Sequence, residues 1–404
     1  MVRSLEGAAK PGGREGTGPP RGPWRQTPED EENSDQEIKA NRGGIRGLPV
    51  ADFPGATVDD SLRDRYHRRV REQIDQPTSN PDTTTCESTS QVGLDDCAAA
   101  PRSAQVWLFP GLGCRYVGMG SEFLGKEPVA DELVRQASDL LGYSVQAVCL
   151  EGSGRKVVPP RQESEVIYVI SCAAAALLQS RGWQPSAVLG HSLGSWAAVA
   201  TSGVLDFTTG LRLLSLTEQR IHDWVESRDH AMGVILGLEA SLVAELVAAE
   251  RDVWVANWNS PRQQVISGMA PAVERVLTEA LSRQAKQARV LVRSRAMHTP
   301  FLEPVAQALR NDLAQLPLRG PQVPVIDTRT GNELRSEFEV AEFLADCLTA
   351  PVHWGTTVLS RAQRGGTGFI DVGPGNVLAG MLPFIDNQAA VMTTAQILEE
   401  KGAT

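Results

Sequence analysis

The sequence predicts a mixed α/β protein in which a large α/β region is interrupted by a smaller unit. Short apolar runs that end in glycine-containing turns, as at residues 105–113 and 369–375, are typical of buried strands. A third apolar run, at 186–190, passes through a tight turn directly into a helical segment. Residues 232–294 alternate between strand and helix patterns over shorter distances. These observations together favour the α/β class.

The first 103 residues differ in composition from the rest of the chain. They are rich in Gly, Pro, Ser, Thr, Asp and Arg and contain few apolar clusters. Such a segment cannot bury enough apolar surface to offset the entropy cost of ordering it. We therefore expect residues 1–103 to be a disordered extension. One charged stretch within it, 59–74, has the composition of a short helix that could serve as a docking element.

The large region is expected to contain several buried strands with helices between them. The strands are predicted at 105–109, 186–190, 323–327 and 369–372. A helix is predicted at 165–181, where the run CAAAALL is strongly apolar and helix-favouring. Residues 391–404 are expected to form a C-terminal tail.

The inserted unit, residues 232–294, has the order strand, helix, strand, strand, helix, strand. The two central strands are joined by the turn Asn259-Ser260-Pro261-Arg262, whose residue types favour turns. This βαββαβ order is that of a ferredoxin-like unit. The large region therefore consists of residues 104–231 and 295–390, with the ferredoxin-like subdomain between them.

Composition limits the classes of function. The 404 residues are 41% hydrophobic and carry a formal net charge of −10, which argues against nucleic acid or an anionic membrane as a general partner. No apolar run is long enough to cross a membrane, and the N-terminus lacks the apolar core of a secretory signal. Six irregularly spaced cysteines without a CxxC pair indicate reduced thiols and no metal site. The expected location is the cytoplasm.

The sequence Gly190-His191-Ser192-Leu193-Gly194 is the strongest local signal of chemistry. A serine between two glycines, after a strand and before a helix, is typical of a nucleophile held on a sharp turn. The glycines permit the reversal of the chain. The N-terminus of the following helix offers free N–H groups and a positive dipole end to a developing oxyanion.

A serine hydroxyl is a weak nucleophile and needs a base, which histidine supplies most often. The sequence has six histidines: His67, His191, His222, His230, His298 and His353. His67 lies in the extension, and the side chain of His191 is expected to point away from the serine. His222 and His230 follow a polar helix and are expected to face solvent. His298 lies in the segment Arg295-Ala296-Met297-His298-Thr299-Pro300, just after the inserted unit.

Five separated motifs, in order, resemble those of the malonyl-CoA:acyl-carrier-protein transacylase family, which includes the acyltransferase domains of polyketide synthases. The resemblance covers residues 106–381. The matching segments are Phe109-Pro110-Gly111-Leu112-Gly113 with 116–120, Gly190–Gly194, Ala256-Asn257-Trp258-Asn259-Ser260-Pro261 with 265–268, Ala296-Met297-His298-Thr299-Pro300, and 372–378.

The resemblance implies an α/β-hydrolase-like large subdomain and a ping-pong transfer of an acyl group between thioesters. Ser192 would be the nucleophile and His298 the general base. The family orients its histidine with a backbone carbonyl, which the matching segment places at Cys347, and the backbone N–H groups of Leu112 and Leu193 would form the oxyanion hole. The implied partners are an acyl thioester and an acyl carrier protein. Phosphopantetheine arrives with the substrate, so no bound cofactor is expected.

The sequence departs from the family where the acyl group is selected. Members that use malonyl or methylmalonyl groups bind the carboxylate with an arginine 25 residues after the nucleophile, where this chain has Thr217. Ser195 replaces a glutamate, and Glu165 could bring a carboxylate near the pocket. Arg220, one helical turn beyond Thr217, is the alternative clamp. Without a clamp a buried carboxylate loses a charge-assisted hydrogen-bonded pair.

The predicted substrate is therefore a non-carboxylated acyl group, used in a loading or editing step of polyketide assembly. Trp196, Trp258 and Met297 could line the acyl pocket together with Thr217, or they could be ordinary core residues. Three alternatives remain open: a malonyl transacylase, a hydrolase that passes the acyl group to water, and a non-catalytic scaffold. The intact serine and histidine motifs argue against the scaffold.

Overall fold

The structure is a computed structural model, and it describes residues 104–151, 158–292, 294–364 and 368–399. The expectations for residues 1–103, including the helix at 59–74, lie outside the described residues. No helix within the described ranges is both long enough and apolar enough to cross a membrane.

Ten strands form two separate sheets. They are β1 Val106–Phe109, β2 Ala187–Gly190, β3 His230–Leu236, β4 Val253–Ser260, β5 Gln263–Met269, β6 Gln287–Val290, β7 Val325–Ile326, β8 Glu333–Leu334, β9 Phe369–Asp371 and β10 Val391–Thr393. The large sheet has the order β10-β9-β1-β2-β7-β8. Its first five strands are parallel, and β8 pairs antiparallel with β7 at one edge.

Twelve α-helices lie within the described residues. They are α1 Pro128–Leu141, α2 Val145–Leu150, α3 Pro160–Ser180, α4 Gly194–Thr201, α5 Phe207–Val225, α6 Ala240–Ala248, α7 Ala270–Ser282, α8 Glu303–Leu313, α9 Glu337–Asp346, α10 Trp354–Ala362, α11 Val377–Met381 and α12 Thr394–Glu399. Two 3₁₀ turns also lie within the described residues: Pro300–Leu302 directly precedes α8, and Leu382–Phe384 directly follows α11.

Both faces of the large sheet are buried. Along β1, Trp107 and Phe109 belong to the larger core, while Val106 and Leu108 belong to a second core on the opposite face. This alternation follows from the two-residue period of a strand. A sheet covered on both sides reads as a continuous apolar run, which is why residues 106–109 were recognisable as a strand.

The small sheet has the order β4-β5-β3-β6 and is antiparallel throughout. With α6 between β3 and β4 and α7 between β5 and β6, the element order is the predicted βαββαβ. One face packs against the two helices in a core that includes Ile235, Val255 and Ile266. The other face carries a small apolar cluster that includes Met232, Val234 and Val265. The two-subdomain α/β class predicted from the sequence is confirmed.

The predicted C-terminal tail is wrong for residues 391–399. Val391–Thr393 forms the edge strand β10, paired in parallel with β9, and α12 follows it. A strand of three residues is too short to show a period, and its parallel partner lies about twenty residues back in the chain, so the local sequence gave no signal. The small unit also begins two residues earlier than predicted, because His230 pairs with Met269.

Candidate active site

Ser192 lies on the turn that joins β2 to α4, and packing around this turn requires glycine on both sides. A Cβ atom added at Gly194 would overlap the carbonyl oxygen of Phe109, and one added at Gly190 would overlap the backbone of Ser195. The backbone of Ser192 has φ 53°, in the left-handed region that only glycine adopts without cost. The turn therefore holds the serine in a strained conformation that its surroundings fix.

The side chain of His298 meets Ser192 across the sequence. Its Nε2 lies 2.7 Å from Ser192 Oγ. His298 also has a positive φ, of 60°, and its backbone N–H donates to the Leu348 carbonyl at 2.9 Å. The side chain is buried, so the pair is held within the protein. This geometry suits transfer of the hydroxyl proton to the imidazole.

The histidine ring is oriented by a backbone carbonyl. His298 Nδ1 lies 3.1 Å from the carbonyl oxygen of Ala350. A carbonyl can only accept, so Nδ1 carries the proton and Nε2 presents its lone pair to Ser192. The family resemblance had placed this role at Cys347, three residues earlier. The Cys347 carbonyl contributes only weakly here, and the turn at 347–350 brings Ala350 into the main position.

Burial lowers the pKa of His298 to about 4. The hydrogen bond to the Ala350 carbonyl opposes this shift, and the nearby His191 adds slightly to it. A lowered pKa keeps the imidazole neutral at neutral pH, which is the state able to accept a proton.

The backbone N–H groups of Leu112 and Leu193 are the candidate oxyanion donors. Within the described part of the chain, neither has a protein acceptor. The loop carrying Leu112 lies directly against the serine turn, because His191 N–H donates to the Phe109 carbonyl at 2.9 Å. A Cβ at Gly111 would lie 2.5 Å from the His191 carbonyl oxygen, so this close approach depends on glycine.

His191 is occupied by structural contacts. Its Nε2 lies 2.8 Å from Asn259 Oδ1, and its ring packs edge-on against Trp354 with centroids 5.1 Å apart. Asn259 lies at the end of β4, so this contact links the serine turn to the small subdomain. Asn259 lies in a segment that resembles a family motif, but the sequence alone predicts no role for its side chain.

Position 217 is buried and neutral. Thr217 lies on α5 with 1% of its surface exposed, and its Oγ1 has no hydrogen-bond partner among the described residues. Ser195 stands where the family has a glutamate. Its hydroxyl donates to the Gly190 carbonyl at 3.3 Å and accepts from the Cys347 thiol at 3.8 Å. It thereby joins the serine turn to the segment that orients His298.

Two side chains considered for the acyl pocket are engaged elsewhere. Arg220 forms an ion pair with Asp312. The Glu165 carboxylate is held by Tyr143 at 2.8 Å, Ser215 at 2.6 Å and Arg161 at 2.8 Å. Arg220 is therefore held by Asp312, and the Glu165 carboxylate has three hydrogen-bond donors of its own.

A buried ion pair next to Thr217 was not foreseen from the sequence. Arg295 Nη1 donates to Glu218 Oε2, and the other oxygen of Glu218 accepts from Ser164 at 2.9 Å. Glu218 and Arg295 are 3% and 7% exposed. Arginine is rarely buried without a partner. The only feature of the sequence that pointed to this pair was the position of Arg295 within the predicted histidine segment.

The other candidate pocket residues differ in their surroundings. Trp196 belongs to the core of the large subdomain. Trp258 belongs to the core of the small subdomain and stacks on His353, with ring centroids 6.2 Å apart. Core packing accounts for both tryptophans. Met297 is half-buried and packs against both the large core and the small apolar cluster on the second face of the small sheet.

Comparison with known proteins gives one consistent family. The family model described as "Acyl transferase domain" matches residues 106–398. The chain is 32% identical over 275 residues to the malonyl CoA-acyl carrier protein transacylase of Synechocystis sp., covering 68% of this chain and 91% of that protein. It is 30% identical over 304 residues to the polyketide biosynthesis protein ThaF of Burkholderia thailandensis, covering 74% of this chain and 26% of that protein.

Solved structures agree with these matches. An acyl carrier protein S-malonyltransferase from Vibrio cholerae superposes with a TM-score of 0.70 at 29% identity, covering 75% of this chain and all of that one. A malonyl-transacylase in complex with a type II polyketide synthase acyl-carrier protein gives a TM-score of 0.68 at 30% identity, with 74% and 100% coverage.

The fold and the family match define the class of the protein as an acyltransferase. The chain belongs to the acyl transferase domain family, and within it resembles the malonyl-CoA:acyl-carrier-protein transacylases.

Proposed function

We propose that this enzyme transfers an uncharged acyl group from a thioester to an acyl carrier protein. The donor is coenzyme A or another carrier protein, and Ser192 carries the acyl group between them. The names of the relatives support an acyl carrier protein as acceptor. The similarity to part of a polyketide biosynthesis protein supports polyketide assembly as the setting. No bound cofactor is needed, because phosphopantetheine arrives with each substrate.

In the first half-reaction, His298 Nε2 takes the hydroxyl proton while Ser192 Oγ attacks the thioester carbonyl carbon. The carbonyl oxygen becomes negative and is held by the N–H groups of Leu112 and Leu193. The C–S bond then breaks, His298 returns the proton to the leaving sulfur, and an acyl ester remains on Ser192.

The second half-reaction reverses these roles. The phosphopantetheine thiol gives its proton to His298, and its sulfur attacks the ester carbonyl carbon. The ester C–O bond breaks, and Ser192 Oγ recovers a proton from His298. If water replaces the thiol, the product is a free acid, which is the hydrolase alternative.

Thr217 is the observation that carries the choice of an uncharged acyl group. A carboxylate brought to a buried threonine needs a cation to offset its desolvation, which otherwise costs several kcal/mol. The nearby arginines are already paired, Arg220 with Asp312 and Arg295 with Glu218. A second candidate, malonyl transfer, is favoured by the names of the relatives. Malonyl transfer requires a cation to bind the malonyl carboxylate, and both nearby arginines are already bound to carboxylates of the protein.

Intact-mass spectrometry of the acyl-enzyme tests the choice. The full chain is mixed with malonyl-CoA or butyryl-CoA, and the rate of mass gain is measured, with Ser192→Ala as the control for the site of loading. We expect butyryl loading to be at least about tenfold faster. Rapid malonyl loading, complete within the time of butyryl loading or sooner, would refute the uncharged acyl group and establish the malonyl alternative. Release of butyric acid without a carrier protein would instead identify a hydrolase.

Thr217→Arg provides the matching gain of function. An arginine here restores a hydrogen-bonded partner for a carboxylate, an interaction of about 1.5–3 kcal/mol, so the malonyl-to-butyryl ratio should rise about ten- to a hundredfold. Thr208→Arg, on the same helix outside its buried face, is the control. An unchanged ratio in Thr217→Arg would show that position 217 does not face the acyl group.

A further inference from the structure

Three buried polar residues, Ser164, Glu218 and Arg295, form a hydrogen-bonded cluster between α3, α5 and the segment before His298, and buried Thr217 adjoins Glu218 on α5. We call Ser164, Thr217, Glu218 and Arg295 the α5 polar cluster. Each is at least nine-tenths buried. Glu218 lies at its centre, accepting from Ser164 on one side and from Arg295 on the other. The cluster thus contains one anion and one cation, and it is neutral overall.

Two polar atoms of the α5 polar cluster have no partner among the described residues. They are Thr217 Oγ1 and Arg295 Nη2. Buried polar groups are nearly always hydrogen bonded in native proteins, so two in one cluster require an explanation. A ligand oxygen is a suitable partner for each of them, since the guanidinium can donate to it and the hydroxyl can donate or accept.

The position of the cluster connects it with the reacting pair. Thr217 and Glu218 share the buried face of α5 with Leu214 and Ile221. Helix α5 packs against α4, the helix that begins two residues after Ser192. Arg295 lies three residues before His298 in the same loop. The cluster is therefore bounded by the helix of the candidate nucleophile and by the loop of the candidate base.

We propose that the α5 polar cluster is the polar wall of the acyl pocket, and that it selects uncharged acyl groups bearing a hydroxyl or keto oxygen. This inference rests on the proposed function and names its substrate class. A plain hydrocarbon chain leaves Thr217 Oγ1 and Arg295 Nη2 unsatisfied, which disfavours it. A carboxylate gains little, because Glu218 already neutralises Arg295 and lies beside it.

The test compares acyl-CoA substrates of equal chain length. Butyryl-CoA is compared with 2-hydroxybutyryl-CoA, 3-hydroxybutyryl-CoA and 3-oxobutyryl-CoA, and loading of Ser192 is followed by intact mass. At least one oxygenated substrate should load about tenfold or more faster than butyryl. The inference is overturned if butyryl loads as fast as all three. That outcome leaves the proposed function standing, because the proposed function is removed by fast malonyl loading or by release of the free acid, and not by this comparison.

Two variants identify the residues responsible. Thr217→Val keeps the shape and removes the hydroxyl, so the oxygenated-to-butyryl ratio should fall severalfold, while Thr208→Val on the same helix should keep it. Arg295→Met alone would leave Glu218 buried and unpaired, so it is combined with Glu218→Gln. If the double variant melts cooperatively and retains the full ratio, Arg295 has no part in selection. If it does not fold, Thr217→Val decides, and an unchanged ratio there overturns the inference.

Discussion

At the scale of single residues, the two candidate catalytic side chains share an unusual backbone conformation. Ser192 and His298 both adopt a positive φ without being glycine. Such conformations cost of order 1–3 kcal/mol each and persist only where the surrounding structure fixes them. Here Gly190 and Gly194 fix the serine turn, and the hydrogen bond from His298 N–H to Leu348 fixes the histidine. Strain at these two positions supports their assignment to the chemistry.

The first prediction concerns this pair. Ser192→Ala should abolish the acyl-enzyme, because no oxygen remains to carry the ester. His298→Ala should slow loading by at least about 10²-fold, the usual scale for losing a general base. Intact-mass kinetics measure both rates, and His222→Ala, a change at an exposed histidine, is the control. Full-rate acylation of Ser192→Ala would place the ester on another residue.

The second prediction follows from the lowered pKa of His298. The base acts only when neutral, and burial lowers its pKa to about 4. The rate of loading should therefore be nearly constant from pH 8 down to about pH 5, and should fall as the pH passes through about 4. Quenched single-turnover loading across this range measures the profile. An inflection near the ordinary histidine value of about 6.5 would show that His298 is solvated during the reaction.

The sequence predicted which two candidate catalytic side chains meet in the site, but it did not predict the residues that hold them in place. Ser192 and His298 could be named because each lies in a recognisable local motif. Ala350 could not be distinguished from Cys347, because the choice depends on the path of one turn. Glu218 and Arg295 are 77 residues apart, so their pairing exists only in the folded chain. Long-range ion pairs leave no local periodicity for a sequence argument to detect.

At the scale of elements, the serine turn and the start of α4 form one packed unit. Gly194 begins α4 and lies against the Phe109 carbonyl at the end of β1. The neighbouring strands β1 and β2 are in parallel register, Phe109 opposite Gly190. The length of each strand therefore determines where the turn places Ser192. The central strands of the large sheet were predictable because each is a continuous apolar run, and the small unit because strand and helix patterns alternate along it, whereas β10 was too short to be detected.

The third prediction tests this packing. Gly194→Ala should destabilise the protein strongly and slow loading, because its Cβ overlaps the backbone of Phe109, which cannot yield as a flexible side chain does. Gly380→Ala is the matched control, since a Cβ there meets nothing within 4 Å and alanine favours the helix α11. Thermal unfolding should show a large fall in Tm only for Gly194→Ala. Equal Tm values for both variants would contradict this account of the turn.

At the scale of the whole molecule, the candidate site depends on both subdomains. The large subdomain supplies Ser192 and the segment that orients His298. The small subdomain supplies Asn259, which holds His191, and a parallel bridge links Asn257 to Val352 near that orienting segment. Met297 packs against both the large core and the small apolar cluster on the second face of the small sheet. A change in the angle between the subdomains would therefore alter the contacts of His191 and Met297.

The last prediction concerns the part of the chain that precedes the catalytic region. The family model matches 106–398, and β1 begins at Val106 in the centre of the large sheet. Residues 1–103 have the composition of a segment that cannot form a core. A chain starting at residue 104 should therefore keep its Tm within a few degrees and load acyl groups at the rate of the full chain. Differential scanning calorimetry and intact-mass kinetics measure these two properties.

A chain starting at residue 108, which removes half of β1, is the control expected to fail, because it breaks the register with β2 and β9. A Tm well below that of the full chain, for the chain that starts at residue 104, would show that the first 103 residues pack against the enzyme. Loss of acyl transfer to a carrier protein, with loading unchanged, would instead assign them to partner docking.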